Sequence, residues 1–359
     1  MGLLGWPLLI VCILIATAFP VGCALVWARL GGPPPLQMAA RMGMILLCQL
    51  TAVAAVGVTV NKHFQFFASW DDLFGSTGSG GGIQQANAAA PAPGDRARVA
   101  GPQLLMQPDG AYQTTFTGER SHIRSRVWIW LPPEYHEKGY ENHLFPVVEL
   151  FPGYPGTAST WFGTMQGAQH LIEEIAAHRA QPMILVAPTI TVDPGHDTEC
   201  TDIPDGPQVA TWLTEDVRSM VLHSFHAATD RAGWATMGYS TGGFCAVKIV
   251  AQYPQLFRAG VSLSGYFTPL ASGAGRDPAV RQRNTVANLL ESRPPVAFLL
   301  GASWQDPGTV PAANGLLKAV KAPTEAFTYF VPKGGHNTGV WTAMLPRSYD
   351  WLSKELTAR

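Results

Sequence analysis

The chain has 359 residues, a formal net charge of −1 and five cysteines. This length accommodates one large domain with additional segments, the near-neutral charge offers no electrostatic basis for binding nucleic acid, and five cysteines are too few for a disulfide-stabilised scaffold. Only 14% of the residues are charged whereas 47% are hydrophobic, a balance that indicates membrane segments.

The first 74 residues contain two uncharged apolar stretches, residues 3–27 and 42–60, each long enough to span a bilayer. A secretory signal peptide is the alternative interpretation of the first stretch, but no basic residue precedes it and no clear cleavage site follows it. Arg29 and Arg41 lie between the two stretches. Because basic residues favour the cytoplasmic side, we expect a transmembrane hairpin whose two ends lie outside the cytoplasm.

A linker is predicted at residues 75–102, which are rich in Gly, Ser, Ala and Pro. This composition cannot bury enough apolar surface to form a core, so it is typical of a flexible tether. We therefore expect the catalytic part of the chain to begin near residue 103 and to extend to residue 359.

From residue 103 onward, apolar stretches of strand length alternate with stretches of helix length. The expected strands are residues 112–117, 124–131, 145–151, 182–188, 234–237, 259–263, 296–301 and 326–331. The expected helices are residues 165–178, 209–227, 243–253, 280–291, 312–320 and 338–356. Such alternation predicts an α/β fold with a mainly parallel sheet that is covered by helices on both faces.

Ser240 is the centre of a G-x-S-x-G pentapeptide, residues 238–242, between an expected strand and an expected helix. A side chain at Gly238 or Gly242 would collide with the neighbouring strand or helix in such a sharp turn. Strand, sharp turn and helix are the context of the nucleophile elbow in α/β-hydrolases. We therefore predict an α/β-hydrolase fold with Ser240 as the nucleophile; the alternative is a glycine-rich turn without a catalytic role.

A serine hydroxyl is a weak nucleophile and needs an adjacent base that is oriented by a carboxylate. In this fold the acid and the histidine follow the serine in that order. His336 lies on a glycine-rich loop after the last expected strand, and it is the only histidine after Ser240. Asp306 follows strand 296–301 and is favoured as the acid over Asp277 and Glu325.

An oxyanion hole requires two backbone N–H groups directed at the developing negative charge. We predict that Thr241, the residue after the nucleophile, donates one of them. The other should come from the loop after strand 145–151, where the two prolines have no N–H. Tyr154 is favoured for this second N–H, and Gly153 is the alternative.

These motifs resemble the esterase family that includes esterase D, the feruloyl esterases and the mycolyltransferases. The resemblance extends over roughly residues 105–355 and rests on residues 151–155 (FPGYP), 238–243 (GYSTGG), 253–257 (YPQLF) and 334–336 (GGH). It implies hydrolysis of acyl esters, or acyl transfer, through a serine acyl-enzyme. The most similar members are membrane-tethered actinobacterial proteins whose soluble domain also follows an apolar amino-terminal region.

The chain departs from the mycolyltransferases at two positions. They usually carry an acidic residue where Pro152 stands here, and a glutamate as the acid of the triad. The resemblance therefore implies ester chemistry but does not extend to specificity for mycolate.

Residues 193–205 hold five acidic residues and Cys200. Their spacing is not that of a calcium-binding EF-hand, and Cys200 with His196 lacks the further paired ligands of a zinc site. We expect a solvated loop at the rim of the cleft, and neither a metal nor a cofactor. In an oxidising compartment Cys200 and Cys245 either form a disulfide that pins this loop to the helix after the nucleophile or remain two buried thiols.

We therefore expect a multi-pass membrane protein whose catalytic domain is a serine carboxylesterase on the extracytoplasmic side. The triad is Ser240, His336 and Asp306, and the partners are an acyl-ester substrate and the lipid bilayer. The first alternative is an acyltransferase that moves acyl groups to envelope glycans. The others are a non-catalytic envelope binding protein and a peptidase of the same fold.

Overall fold

The computed structural model describes residues 5–64, 70, 104–107, 109–193, 195–270 and 274–357. By its contacts the chain divides into two units, Met1–Phe74 and Gly75–Arg359. The predicted linker, residues 75–102, lies outside the described residues, and the domain boundaries stay a prediction.

The amino-terminal unit consists of helix α1 (Trp6–Trp27) and helix α2 (Pro34–Phe64). Both are long and apolar enough to cross a membrane, with mean hydropathies of 2.7 and 2.0. Helix α2 begins earlier than expected, because proline is well accommodated in the first turn of a helix.

The two helices of this unit run antiparallel. The Arg41 guanidinium lies 5.3 Å from the centre of the Trp27 ring, close to the connection, and the Lys62 ammonium lies 4.3 Å from the Trp6 ring at the other end. Most of their apolar side chains are exposed. Such an apolar outer surface is compatible with a hairpin in a membrane.

Among the described residues of the second unit, the strands β1 to β9 are, in chain order, Leu105–Met106, Tyr112–Thr117, Arg124–Trp130, Val147–Phe151, Ile184–Pro188, Trp234–Tyr239, Ala259–Leu263, Ala297–Ser303 and Glu325–Val331. They form one sheet in the order β1-β2-β3-β5-β4-β6-β7-β8-β9. The first four strands in this order pair antiparallel and all further pairs are parallel. The predicted α/β class with a mainly parallel sheet is confirmed.

Helices cover both faces of this sheet. They are Ser159–Phe162, Gly167–Ala176, Val209–Thr211, Trp212–Val217 (a π-helical turn), Arg218–Ser224, Thr241–Gln252, Pro278–Asn284, Val286–Leu289, Thr309–Ala319 and Thr338–Glu355. The helix expected at residues 280–291 is interrupted at Thr285, which has an extended backbone. Strand β1 was not predicted, because two exposed residues produce no hydrophobic pattern.

Two hydrophobic cores lie on the two faces of the sheet. In β4 the side chains alternate between them, with Val147 and Phe151 on one face and Val148 and Leu150 on the other. The first core contains the helix Thr241–Gln252 and the second contains the carboxy-terminal helix. Because the central strands are buried on both faces, they appear in the sequence as continuous apolar runs.

One charged residue interrupts these runs. Glu149, in the centre of β4, is fully buried, and neither of its carboxyl oxygens has a hydrogen-bond partner among the described residues. Burial raises the pKa of Glu149 to about 8, against the opposing effect of Arg218. The Arg218 guanidinium instead donates to the carbonyl groups of Leu256 and Thr229. Glu149 is therefore a neutral acid in the folded protein at neutral pH.

The stability of the fold should depend on this carboxyl group. In the unfolded chain a glutamate ionises with a pKa of about 4.3, whereas folded Glu149 keeps its proton up to about pH 8. Between these values only the unfolded state releases the proton, so the free energy of unfolding falls as pH rises, by up to about 1.4 kcal/mol per pH unit. Glu149→Gln should remove this component, as measured by urea unfolding of the detergent-solubilised chain from pH 5 to 8. The exposed Glu137→Gln should keep the wild-type slope, and an unchanged slope in Glu149→Gln would contradict the prediction.

Candidate active site

The turn between β6 and the following helix has the geometry of a nucleophile elbow. Ser240 adopts φ 56° and ψ −123°, a strained backbone conformation for a residue with a side chain. A Cβ at Gly238 would collide with the carbonyl group of Gly242, and a Cβ at Gly242 would collide with the carbonyl group of Phe151. The two glycines are required because the helix, here called the elbow helix (Thr241–Gln252), begins against neighbouring backbone.

The structure brings Ser240, His336 and Asp306 together in a chain of hydrogen bonds. The distance from His336 Nε2 to Ser240 Oγ is 2.8 Å, and the distance from His336 Nδ1 to Asp306 Oδ2 is 2.7 Å. Asp306 is buried, whereas His336 is partly open to the cleft. With the Nδ1–H donating to Asp306, Nε2 is free to accept the serine proton.

The other two candidate acids lie elsewhere. Asp277 accepts a hydrogen bond from the N–H of Ala279 and so caps the helix Pro278–Asn284. Glu325 is the exposed first residue of β9. Of the three carboxylates, Asp306 is the one that contacts the histidine.

The loops that carry Asp306 and His336 are bound to each other. The Ser303 hydroxyl, at the end of β8, donates to the carbonyl group of Gly334, and the Gly334 N–H donates to Gln305 Oε1 over 2.9 Å. Gly334 has a φ of 102°, a conformation that favours glycine. The His336 ring lies edge-on against Trp341, with ring centres 5.0 Å apart. These contacts hold the imidazole in place between the serine and the aspartate.

Both predicted oxyanion donors are located beside the serine. Thr241 is the first residue of the elbow helix, so its N–H has no acceptor within the helix. The loop after β4 passes so close that a Cβ at Gly153 would lie 3.0 Å from the Cβ of Ser240. Tyr154, the next residue, lines the same cleft as Ser240 and Thr241.

This cleft has a volume of about 800 Å³ and a mixed polar and apolar lining. The charged side chains of Asp197 and Arg276 lie in its wall together with Tyr154, Leu270 and Pro307. Such a surface offers both hydrogen-bonding groups and apolar contacts to a bound ester.

The expectation of a solvated loop at residues 193–205 is wrong for its central part. Residues 198–201 are buried, and Cys200 forms a disulfide with Cys245 of the elbow helix. Lys248, one helical turn further on, is also buried and donates to the carbonyl group of Cys200 (2.6 Å) and to Thr201 Oγ1 (2.9 Å). Burial lowers the pKa of Lys248 to about 7. The loop is buried because these bonds hold it against the helix.

The same loop places two acids near the nucleophile that are not among the predicted site residues. Asp197 accepts a hydrogen bond from the Thr241 hydroxyl, and Glu199 accepts one from the Tyr266 hydroxyl. Burial raises the pKa of both carboxyl groups. One feature of the sequence indicates that the loop lies beside the nucleophile. Thr241 and Cys245 are four residues apart and therefore lie on one face of the elbow helix, so a loop that is bound to Cys245 also passes Thr241.

The family is decided by comparison with known proteins. A family model described as "Putative esterase" matches residues 120–348. The chain belongs to this esterase family. At 24% identity over 246 residues, it is also similar to an uncharacterized protein of Corynebacterium glutamicum, with 64% of this chain and 57% of that protein covered. The esterase thus spans little more than half the length of this relative.

Solved structures of esterases have the same fold. A ferulic acid esterase superposes with a TM-score of 0.58 at 16% identity, over 68% of this chain and 98% of that chain. An S-formylglutathione hydrolase from Agrobacterium tumefaciens superposes with a TM-score of 0.58 at 16% identity, over 71% of this chain and 99% of that chain. A fluorophosphonate-binding serine hydrolase of Staphylococcus aureus superposes with a TM-score of 0.56 at 15% identity, over 68% of this chain and 98% of that chain. The predicted esterase family and α/β-hydrolase fold are confirmed.

Proposed function

We propose that this esterase is a serine carboxylesterase with Ser240 as nucleophile, His336 as general base and Asp306 as the orienting acid. The observation that supports this assignment is the unbroken chain of hydrogen bonds from Ser240 Oγ through the imidazole to Asp306. Ser240, at one end of this chain of hydrogen bonds, lines a cleft that can hold a substrate. Membership of the esterase family supports ester chemistry.

In the proposed mechanism, Ser240 Oγ attacks the ester carbonyl carbon while His336 Nε2 accepts the hydroxyl proton. The N–H groups of Thr241 and Tyr154 stabilise the negative oxygen of the tetrahedral intermediate. The imidazolium then protonates the leaving alcohol, and the acyl group remains on Ser240. Water repeats the same steps and releases the acid. Asp306 keeps the proton on Nδ1 and stabilises the imidazolium.

The cleft should favour short acyl groups, because charged side chains lie in its wall beside the apolar ones. In a deep apolar site, each further CH2 group that becomes buried would add about 0.8 kcal/mol of favourable free energy. Here a long acyl chain would have to lie against the charged side chains of Asp197 and Arg276, which line the same cleft. We therefore expect that kcat/KM for p-nitrophenyl esters does not rise from butyrate to dodecanoate. The corresponding p-nitroanilides should be cleaved far more slowly. A steady rise with chain length would contradict this substrate class, and equally fast anilide cleavage would favour the peptidase.

Acyl transfer to a sugar is the second candidate, because polar side chains of the cleft, among them Tyr154 and Arg276, can donate hydrogen bonds to a polyhydroxylated acceptor. A bound acceptor competes with water through its raised effective concentration. Hydrolysis remains first, since the cleft is open to water. The two reactions are separated by measuring sugar ester against free acid while the sugar concentration is increased. Free acid at every concentration would exclude transfer to that sugar.

We also propose that residues 1–74 anchor the domain and that the domain faces away from the cytoplasm. Two helices of spanning length support the anchor. The Cys200–Cys245 disulfide supports the orientation, because disulfides persist in oxidising compartments. Protease added to intact cells should therefore cut within residues 75–98 and release the domain, while a cytoplasmic protein stays intact. Complete protection of the domain would overturn the orientation.

A further inference from the structure

One face of the elbow helix contacts a single loop segment. Thr241, Cys245 and Lys248 are spaced i, i+4 and i+7, and therefore lie on the same side of the helix. All three bind the segment of residues 197–201, through the Thr241 hydroxyl, the disulfide and the Lys248 ammonium. The segment is thus fastened along the first two turns of the helix that begins at the nucleophile.

Within this segment, Asp197 connects the loop to the first residue of the helix. Its Oδ1 accepts a hydrogen bond from the Glu199 N–H over 2.9 Å. Its Oδ2 accepts a hydrogen bond from the Thr241 hydroxyl over 3.0 Å. Both carboxyl oxygens are therefore engaged, and the position of the carboxyl group is set by a backbone that the disulfide holds.

A second contact holds the same hydroxyl group from another side. The Tyr266 hydroxyl oxygen lies 3.3 Å from Thr241 Oγ1 and donates to Glu199 Oε1 over 2.6 Å. Glu199 is fixed in turn by the Leu270 N–H, at 2.9 Å. The Thr241 side chain is thereby held between two anchored groups, and its rotamer is set from outside the helix.

We infer that Asp197 is a positioning residue for the oxyanion hole, because its hydrogen bond to the Thr241 hydroxyl fixes the direction of the Thr241 N–H. The inference rests on the proposed function, in which that N–H stabilises the oxyanion. An N–H in the first turn of a helix has no partner within the helix to hold its direction. Since the oxyanion exists only in the transition state and intermediate, loss of this alignment should lower kcat and leave KM nearly unchanged.

The test compares substitutions on the two sides of one hydrogen bond in the detergent-solubilised full chain. Asp197→Ala removes the acceptor, and Thr241→Val removes the donor but keeps the backbone N–H and the side-chain shape. Because removal of a whole oxyanion donor costs about 100- to 1,000-fold, we expect each variant to lose about 10- to 100-fold in kcat. Thr241→Ser, which restores a hydroxyl, should recover most of the loss. Asp193→Asn, on the same loop and paired with His196, is the matched control and should retain wild-type kcat.

Coupling between the two residues is decided by the double variant. If Asp197 acts through Thr241, Asp197→Ala/Thr241→Val should be no slower than the slower single variant. Any of three results would overturn the inference. The first is a double variant whose loss in kcat is the product of the two single losses. The others are an unchanged kcat in both single variants and a Thr241→Ser variant that recovers none of the kcat lost in Thr241→Val. If Asp197→Ala does not fold, the comparison of Thr241→Val with Thr241→Ser decides alone. Ser240→Ala is assayed in parallel to separate the two hypotheses. Full activity of Ser240→Ala would contradict the proposed function itself. An inactive Ser240→Ala together with a wild-type kcat in Asp197→Ala would contradict only the positioning role.

Discussion

Replacement of Ser240 by alanine should lower kcat/KM for p-nitrophenyl butyrate by about four to six powers of ten. The variant loses the nucleophile and with it the acyl-enzyme, and only the oxyanion donors and substrate binding remain. A fluorophosphonate probe should label wild-type protein at Ser240 and leave the variant unlabelled. The measurement is the initial rate of nitrophenol release by the full chain in detergent, together with mass spectrometry of the labelled peptide.

A second serine in the same cleft provides the matched control. Ser264 also lines the cleft, is buried and has a positive φ of 55°, but it has no hydrogen bond to His336 among the described contacts. Ser264→Ala should therefore keep the probe label at Ser240. If the label were instead found on Ser264, or if Ser240→Ala turned over at the wild-type rate, the assignment of the nucleophile would be wrong.

Replacement of Asp306 by asparagine should be the second largest loss, about 10⁴-fold in kcat. The amide NH2 group can donate a hydrogen bond to Nδ1 of the imidazole. This stabilises the tautomer that carries its proton on Nε2, where the serine proton must be accepted. The 2.7 Å distance between Asp306 and His336 Nδ1 makes this effect direct. It is measured as the pre-steady-state rate of acylation, so that deacylation does not mask it.

Two other carboxylates serve as controls for this substitution. Glu325→Gln and Asp277→Asn should each retain activity within a few-fold, because neither carboxylate contacts the imidazole. A loss in Glu325→Gln greater than that in Asp306→Asn would transfer the role of the acid to Glu325. Thermal unfolding of each variant separates lost chemistry from lost structure.

The elbow was predictable from the sequence because its causes are local. A turn that tolerates no Cβ at Gly238 and Gly242 needs glycine at two fixed positions around Ser240, and this requirement is visible in five consecutive residues. The apolar amino-terminal stretches were recognisable for a similar reason, since spanning length and absence of charge are properties of the stretch itself. The alternation of strands and helices, with strands buried on both faces, likewise leaves continuous apolar runs in the sequence.

Contacts between distant parts of the chain were decided only by the tertiary structure. The sequence favoured Asp306 without excluding Asp277 or Glu325, and the distances to His336 separate them because the loops after β8 and β9 meet at one edge of the sheet. The loop of residues 193–205 looked solvated because its composition is acidic. Its central residues are buried because a disulfide and a buried lysine hold them against the elbow helix. Composition records the intrinsic preference of a segment for water, whereas burial depends on which partners the fold brings within bonding distance.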